Sequence, residues 1–371
     1  MPHILTINAG SSSVRFALFS SGARPVRLMD GKMERIGNEA GAVTADRLAE
    51  KLKAGGQGTA PDAIGHRVVH GMLHSQPERV SAVLLAELRS IAPLDPEHLP
   101  REIELIEAMQ RQYPNVPQVA CFDTAFHRSM PPEATLLPIP RRYAAEGVQR
   151  YGFHGLSYTF LMQELARLGD GAAAQGRVIL AHLGSGASLA AVLNGRSIDT
   201  SMGFTPAAGL VMGTRSGDLD PGLAGYLMNC EAMNAAQFQT MVNDKSGLIG
   251  ISETSADVRD LLDRETTDSR AREAIAIFCY QAKKWIGAYT AALGGLDTLV
   301  FAGGIGENAA AVRRRICDGL QCIGIELDEA RNAEHAACIS SGRVVVRVIR
   351  TDEESVIANL TAQCVGMSTE E

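Results

Sequence analysis

A repeat limits how this chain can fold more than any other feature of its sequence. The stretch ILTINAGSSSVRFAL from Ile4 aligns with ILAHLGSGASLAAVL from Ile179, matching Ile to Ile, Leu to Leu, Ser13 to Ser188 and Leu18 to Leu193. In each copy an apolar run, a break of small residues and a second apolar run read as strand, turn, strand. Each copy then meets a further turn, SSG at Ser20 to Gly22 and the dipeptide Asn194-Gly195, the latter a strong hairpin signal. Two like hairpins predict two like domains, and 371 residues exceed the size at which a single core stops growing.

Between and after the hairpins, short apolar runs (RVVHG, VAC, RVILAHL, TLVFAGG, RVVVRVI) alternate with helical patterns such as REIELIEAMQRQ and AREAIAIFCYQAKKWIGAYTAAL. That alternation predicts α/β domains on sheets with a parallel core. The Gly- and Ala-rich segment from Ala40 to Pro61 reads as a peripheral helix and loop, and disorder is expected only in the last few residues, MSTEE. With 46% apolar and 21% charged residues, both domains can bury a full core. A net charge of −7 with interspersed signs offers no basic stripe for nucleic acid or an anionic membrane, so the expected partners are small molecules. The N-terminal apolar run is short and lacks a basic flank, and the Ala291–Ile305 stretch is broken by Asp297, so a cytoplasmic protein is expected. Seven cysteines without a C-x-x-C pair fit reduced thiols used for packing.

Several segments carry chemistry. No G-x-x-x-x-G-K-[ST] is present, which excludes a P-loop. The polar knot Asn8 to Ser13 is either a solvent-facing turn or a cradle of donors for an anion such as phosphate. GGIGEN, Gly303 to Asn308, follows an apolar strand and precedes the helical AAAVRRRICDGL. It reads as a glycine turn that either brings backbone close to a ligand or merely packs tightly. Arg67 in GHRVVHG, Asp123 in CFDTAFH, His154 in RYGFHG, and Arg215, Asp218 and Asp220 in MGTRSGDLDPG are charged or titratable residues in turn-rich segments.

INAGSSSVRF, GHRVVHG, FDTAFH, RYGFHG, DTSMGFTPAAGLVMGTRSGDLDPG, FAGGIGEN and TDEE, in this order from about residue 4 to residue 360, resemble the signature segments of the acetate kinase family of short-chain acyl kinases. That resemblance implies a duplicated actin-like (ribonuclease H-like) fold, α/β, with mixed sheets flanked by helices and the active site in the interdomain cleft. It implies an N-terminal domain of residues 1–124 plus 354–371, a C-terminal nucleotide-binding and dimerisation domain of residues 125–353, and a homodimer. The implied reaction moves the γ-phosphoryl group of ATP in line to a carboxylate, reversibly, giving an acyl phosphate and ADP. Propionate or butyrate kinase is the nearer alternative and an actin- or Hsp70-like ATP-driven switch the distant one; a pyrophosphate-dependent variant is disfavoured by the intact GGIGEN.

The resemblance also implies residue roles. Arg67 and Arg215 grip the carboxylate and the phosphoryl group, His154 donates to the phosphoryl oxygens, and Asp123 positions an arginine and metal-bound water. Asn8 and Glu353, or Glu354 beside it, hold Mg²⁺ or Mn²⁺. Ser11, Ser12, Ser13 and Arg15 in the first hairpin, with His182, Gly184, Ser185 and Gly186 in the second, face the phosphates. Asp257, Val258 and Arg259 together with Gly303, Gly304, Ile305, Gly306, Glu307 and Asn308 hold the nucleotide. Val69, Leu94, Phe153 and Pro206 line the place of the acid's methyl group. Asp95 stands where the pattern has His, so the role of that His is either absent or taken by nearby His98. Ser185, Tyr158 and Val258 stand where Asn, His and Phe are usual.

Overall fold

The computed structural model describes residues 1–10, 13–22, 25–34, 41–54, 60–96, 98–169 and 171–367. Ser11, Ser12 and the tail from residue 368 lie outside the described residues. The chain forms two units: Met1–Phe126 with Gly155–Phe160 and Asp352–Glu371, and His127–His154 with Leu161–Thr351. The excursion Gly155–Phe160, which the sequence divides from the first domain, joins it because Leu156 and Phe160 pack with Val119, Cys121, Val356 and Ile357.

In the first unit, strands β1 (His3–Ala9), β2 (Ser13–Ser20), β3 (Val26–Glu34), β4 (Ala63–Val68), β5 (Glu78–Arg79) and β6 (Gln118–Phe122) form one sheet in the order β3-β2-β1-β4-β6-β5. The second unit builds its sheet from β7 (Arg177–Leu183), β8 (Ala187–Leu193), β9 (Arg196–Thr200), β10 (Thr298–Ala302) and β11 (Val345–Val348), in the order β11-β10-β7-β8-β9. The repeated sequence lies at the same place in both. β1 and β7 open antiparallel hairpins with β2 and β8, and each also pairs in parallel with the strand after a helical crossover, β4 or β10. A third strand continues each meander, β3 and β9. The β8–β9 turn is built by Asn194 and Gly195 at φ +50° and +74°, the left-handed pair that a two-residue hairpin requires.

β1 is buried almost throughout because residues alternate between two covered faces. Leu5 and Ile7 pack with Phe16, Leu48, Leu105 and Met109 on one side, whereas Ile4 meets Phe19, Ala358 and Ala362 on the other. The helix Gly41–Ala54 is therefore not peripheral: Leu48 is fully buried and the helix lies against Leu99–Gln112, since its apolar residues recur at helical spacing. No helix of the described residues is long and apolar enough to cross a membrane.

Candidate active site

In an open α/β sheet, side chains just beyond the carboxyl ends of parallel strands share one edge and can meet one ligand. In the first unit β1, β4 and β6 end at Ala9, Val68 and Phe122, which brings Asn8, Arg67, Val69 and Asp123 to that edge. Arg67 donates from Nη2 to Asp123 Oδ2 at 2.8 Å and from Nη1 to the Ala9 carbonyl at 3.2 Å. Burial opposes the charge on Arg67, but Asp123, Glu353 and Glu102 outweigh it and raise its pKa. Asp123 is fully buried, and its Oδ1 accepts the Leu156 N–H at 3.2 Å, so its carboxylate aims at Arg67 with no rotational freedom left.

Asn8 Nδ2 donates to Glu353 Oε2 at 2.7 Å and Glu354 Oε1 at 3.2 Å, both in the first turn of the helix Glu353–Val365. Arg15 lies opposite Asn8 across the hairpin and is exposed; Ser13, half-buried, accepts the Gly10 N–H through its carbonyl at 2.8 Å. Burial pushes the Glu353 and Glu354 carboxyls up, and Glu353 adds to the effect on Glu354. Two carboxyl groups beside an amide that can turn its oxygen outward make an all-oxygen donor set, the ligand chemistry that Mg²⁺ takes. Leu94 is half-buried and Val69 buried. Asp95 is buried and engages His98, whose Nδ1 lies 2.9 Å from Asp95 Oδ1 and whose N–H donates to it at 3.3 Å.

In the second unit His154 takes φ +59° and ψ +25°, a strained conformation for a residue with a side chain. Its ring is held by a 2.8 Å hydrogen bond between Nδ1 and Ser188 Oγ on β8, and it stacks on His182 with centroids 4.2 Å apart. Nε2 points at the glycine turn between β7 and β8, where Gly184 N–H donates to the Gly186 carbonyl at 2.9 Å and Ser185 is exposed. A Cβ on Gly186 would lie 3.3 Å from His154 Nε2 and 3.7 Å from Arg215 Nη1, so the imidazole and guanidinium converge on that turn. The Arg215 loop is held by Leu248 and Ile249, whose N–H groups donate to the Met212 and Gly213 carbonyls at 2.8 and 3.0 Å. Gly247 makes this possible: its φ is +63°, and a Cβ would sit 2.2 Å from the Met212 oxygen. Asp218 accepts the Gly209 N–H at 2.9 Å and Asp220 caps the helix Pro221–Cys230, so both aspartates are occupied in shaping the loop.

The Gly303–Asn308 segment is a helix rather than a turn, and a second helix, Ala310–Cys317, follows it. Glu307 Oε1 accepts the Gly303 N–H at 3.1 Å and Asn308 Nδ2 donates to the Gly304 carbonyl at 2.9 Å, so the polar residues of the motif stabilise the helical turn the glycines alone would not. Gly304 N lies 4.0 Å from where a Cβ on Gly184 would stand, beside the same β7–β8 turn. Asp257 caps the helix Val258–Arg264 and pairs with the exposed Arg259 at 2.6 Å. Val258 is 2% exposed, so it offers no face to a ring; helix periodicity turns it inward with Leu261. Phe153 is buried, its carbonyl accepting from His127 Nε2 at 3.0 Å, and Pro206 is half-buried.

Residues 47–359 match the model of the acetokinase family. The acetate kinase of Methylocella silvestris is 43% identical over 393 residues, covering 96% of each chain. Among solved structures, the acetate kinase of Porphyromonas gingivalis shares 34% identity at a TM-score of 0.87, over 98% of this chain and 100% of that one. A propionate kinase from Francisella tularensis shares 35% identity at 0.88 with the same coverage. The chain belongs to the acetokinase family. It is a kinase with a carboxyl group as acceptor, on a duplicated actin-like fold.

For an acetokinase, four more residues matter that sequence reasoning missed. Ser188 orients His154 and was visible only as the repeat partner of Ser13. Gly247 shapes the Arg215 loop from a segment without any charge to mark it. Arg313 is fully buried, has no carboxylate partner among the described residues, and donates to the carbonyls of Gly306 and Glu307 at 2.8 and 2.9 Å, to Asn332 Oδ1 and O at 2.8 Å each, and towards His335 Nδ1 at 3.1 Å. Glu102 is an acid among the apolar residues of its helix face, a break in periodicity that does show in the sequence.

Proposed function

We propose that the chain catalyses the reversible transfer of the γ-phosphoryl group of ATP to acetate, giving acetyl phosphate and ADP, with Mg²⁺ held by Asn8 and Glu353, and Glu354 beside them. The observation that carries this reading is the convergence of His154 Nε2 and Arg215 Nη1 on the glycine turn after β7. Phosphoryl transfer to an acid that is already ionised needs little proton movement; it needs anions held together and transition-state charge stabilised. Arg67 and Arg215 hold the carboxylate and the phosphoryl group, because a planar guanidinium matches both in fork geometry. His154 donates through Nε2, its Nδ1 being committed to Ser188. Asp123 keeps the Arg67 side chain aimed. When bound, Mg²⁺ neutralises phosphate charge. The β7–β8 turn from His182 to Gly186 and the Gly303–Asn308 helix take the nucleotide, with Asp257 and Arg259 at the adenosine end and Ser13 and Arg15 near the phosphates.

Propionate is the second acid. The structural neighbour from Francisella supports it: where the pocket has room, one added methylene gains about 0.8 kcal/mol of transfer free energy, whereas forcing further methylenes into a packed pocket costs about 1–3 kcal/mol. We place the protein in the cytoplasm, where its co-substrate ATP is supplied. A homodimer through the second unit is supported by exposed Tyr226 on Pro221–Cys230 and by Ile277 and Tyr280 on Ser269–Ala292. The test is acyl hydroxamate formation from ATP, Mg²⁺, hydroxylamine and acetate, propionate or butyrate. Acetate and propionate should give product and butyrate clearly less; ATP hydrolysis with no hydroxamate from any acid would assign an ATP-driven switch instead.

A further inference from the structure

The helix Leu99–Gln112 turns one carboxyl group inward. Its buried face reads Leu99, Glu102, Ile103, Leu105, Ile106, Ala108 and Met109, and Glu102 is 3% exposed. A buried carboxyl costs stability unless its oxygens are used. One is: Oε2 accepts the Val69 N–H at 3.0 Å. Oε1 is buried with no hydrogen-bond partner among the described residues, and so is Nε of Arg67. Arg67 and Val69 stand two positions apart at the end of β4, and both are read above as residues that hold the acid.

We propose that Glu102 is a positioning residue of the acyl-acceptor end, which clamps the Val69 backbone and leaves the charge of Arg67 to the incoming carboxylate. This rests on the reading of Arg67 given under Proposed function and on the place beside the acid's methyl group that the family resemblance implies for Val69. The charged groups acting on Glu102 are Arg67 from β4, Asp95 from the loop before its own helix and Asp123 from the loop after β6, with His98 engaged by Asp95. Burial pushes the carboxyl up, Asp95 and Asp123 add to it, and Arg67 and the Val69 N–H oppose, with a result of about 8. At neutral pH the group therefore carries its proton. When it ionises, Arg67, which already faces Asp123, gains another counter-charge and attracts the acid less. The coupling is reciprocal: a carboxylate bound at Arg67 adds negative charge nearby and raises the proton affinity of Glu102.

The sign for stability is equally definite. A carboxyl whose folded pKa lies above its unfolded value binds more protons in the folded state, so stability falls as pH rises between about 4.5 and about 8.

The experiment is steady-state kinetics of the full chain from pH 6.5 to 9.0, with KM for the acid and for ATP determined separately in wild type and Glu102→Gln. Gln keeps an oxygen for the Val69 N–H and cannot ionise. In wild type, KM for the acid should rise about fivefold or more across the range while KM for ATP stays level. In Glu102→Gln, KM for the acid should stay level. A flat acid KM in wild type overturns the proposal, as does a rise that survives in the variant. If Glu102→Gln does not fold, the wild-type acid and ATP profiles decide it alone. Absence of acyl phosphate at every pH would remove the acid site at Arg67 and Val69, and this proposal with it.

Discussion

At the scale of single residues, the site depends on groups that a similar side chain cannot replace. Arg215→Lys keeps the positive charge but loses the planar fork, and a lysine ammonium cannot give two parallel hydrogen bonds to a phosphoryl group. We expect kcat to fall by about two orders of magnitude, the scale of losing one transition-state donor, in a protein with unchanged thermal unfolding. Near-normal turnover would take Arg215 out of the chemistry. Gly186→Ala tests the neighbouring geometry without touching a charge. Its methyl group would stand 3.3 Å from His154 Nε2, tighter than ordinary contact, so the imidazole or Arg215 must shift by a few tenths of an ångström. Displacement on that scale should lower kcat by about tenfold or more while ATP affinity changes less. Equal turnover in the alanine variant would show that Nε2 is not aimed at the reacting group.

Among the elements, the short helix Gly303–Asn308 has the weakest internal support and the strongest external one. Six residues of which three are glycine do not hold a helix by propensity. Arg313, from the next helix, caps its last carbonyls and ties them to Asn332 and His335. Arg313→Met preserves length and removes every donor, leaving buried carbonyls unsatisfied at about 1–3 kcal/mol each. We expect a loss of at least about 3 kcal/mol in chemical unfolding, and a KM for ATP that rises more than KM for the acid. An unaltered ATP KM in a folded variant would detach this helix from the nucleotide. The elements also show how far local pattern reaches: alternation and turn chemistry predicted both hairpins, whereas the helical state of GGIGEN depends on Arg313 and Asn332, 19 residues apart in sequence and buried together.

At the scale of the whole molecule, the first unit is closed by the end of the chain. The helix Glu353–Val365 buries Val356, Ile357, Ala358, Thr361 and Ala362 against the sheet, and the Asn8–Glu353 hydrogen bond joins residues 345 positions apart. Burying Val356 and Ile357 alone is worth about 1.5–3 kcal/mol each, a large share of the roughly 5–15 kcal/mol that holds a domain together. Truncation after Thr351 should therefore unfold the first unit and abolish activity. Limited proteolysis should then cut within Met1–Phe126 while fragments of the second unit persist. Equal protease resistance of both units in the truncated chain would contradict this account.

The sequence by itself determined the duplicated topology, the strands and their hairpins, and nearly every polar side chain now found at the strand ends. Those signals are local: an apolar run such as Ile4, Leu5 and Ile7, a dipeptide such as Asn194-Gly195, and an Arg or Asp in or just past an apolar run. Tertiary structure alone decided which of them meet. It turned Val258 inward, drew the helix Gly41–Ala54 into the core through Leu48, assigned Gly155–Phe160 to the first unit, and set Ser188 beneath His154 and Glu102 beneath Val69. The physical reason is separation. A buried polar group is satisfied by whatever partner packing brings within about 3 Å, and here those partners lie 33 and 34 residues away, beyond the range of any propensity, period or turn rule.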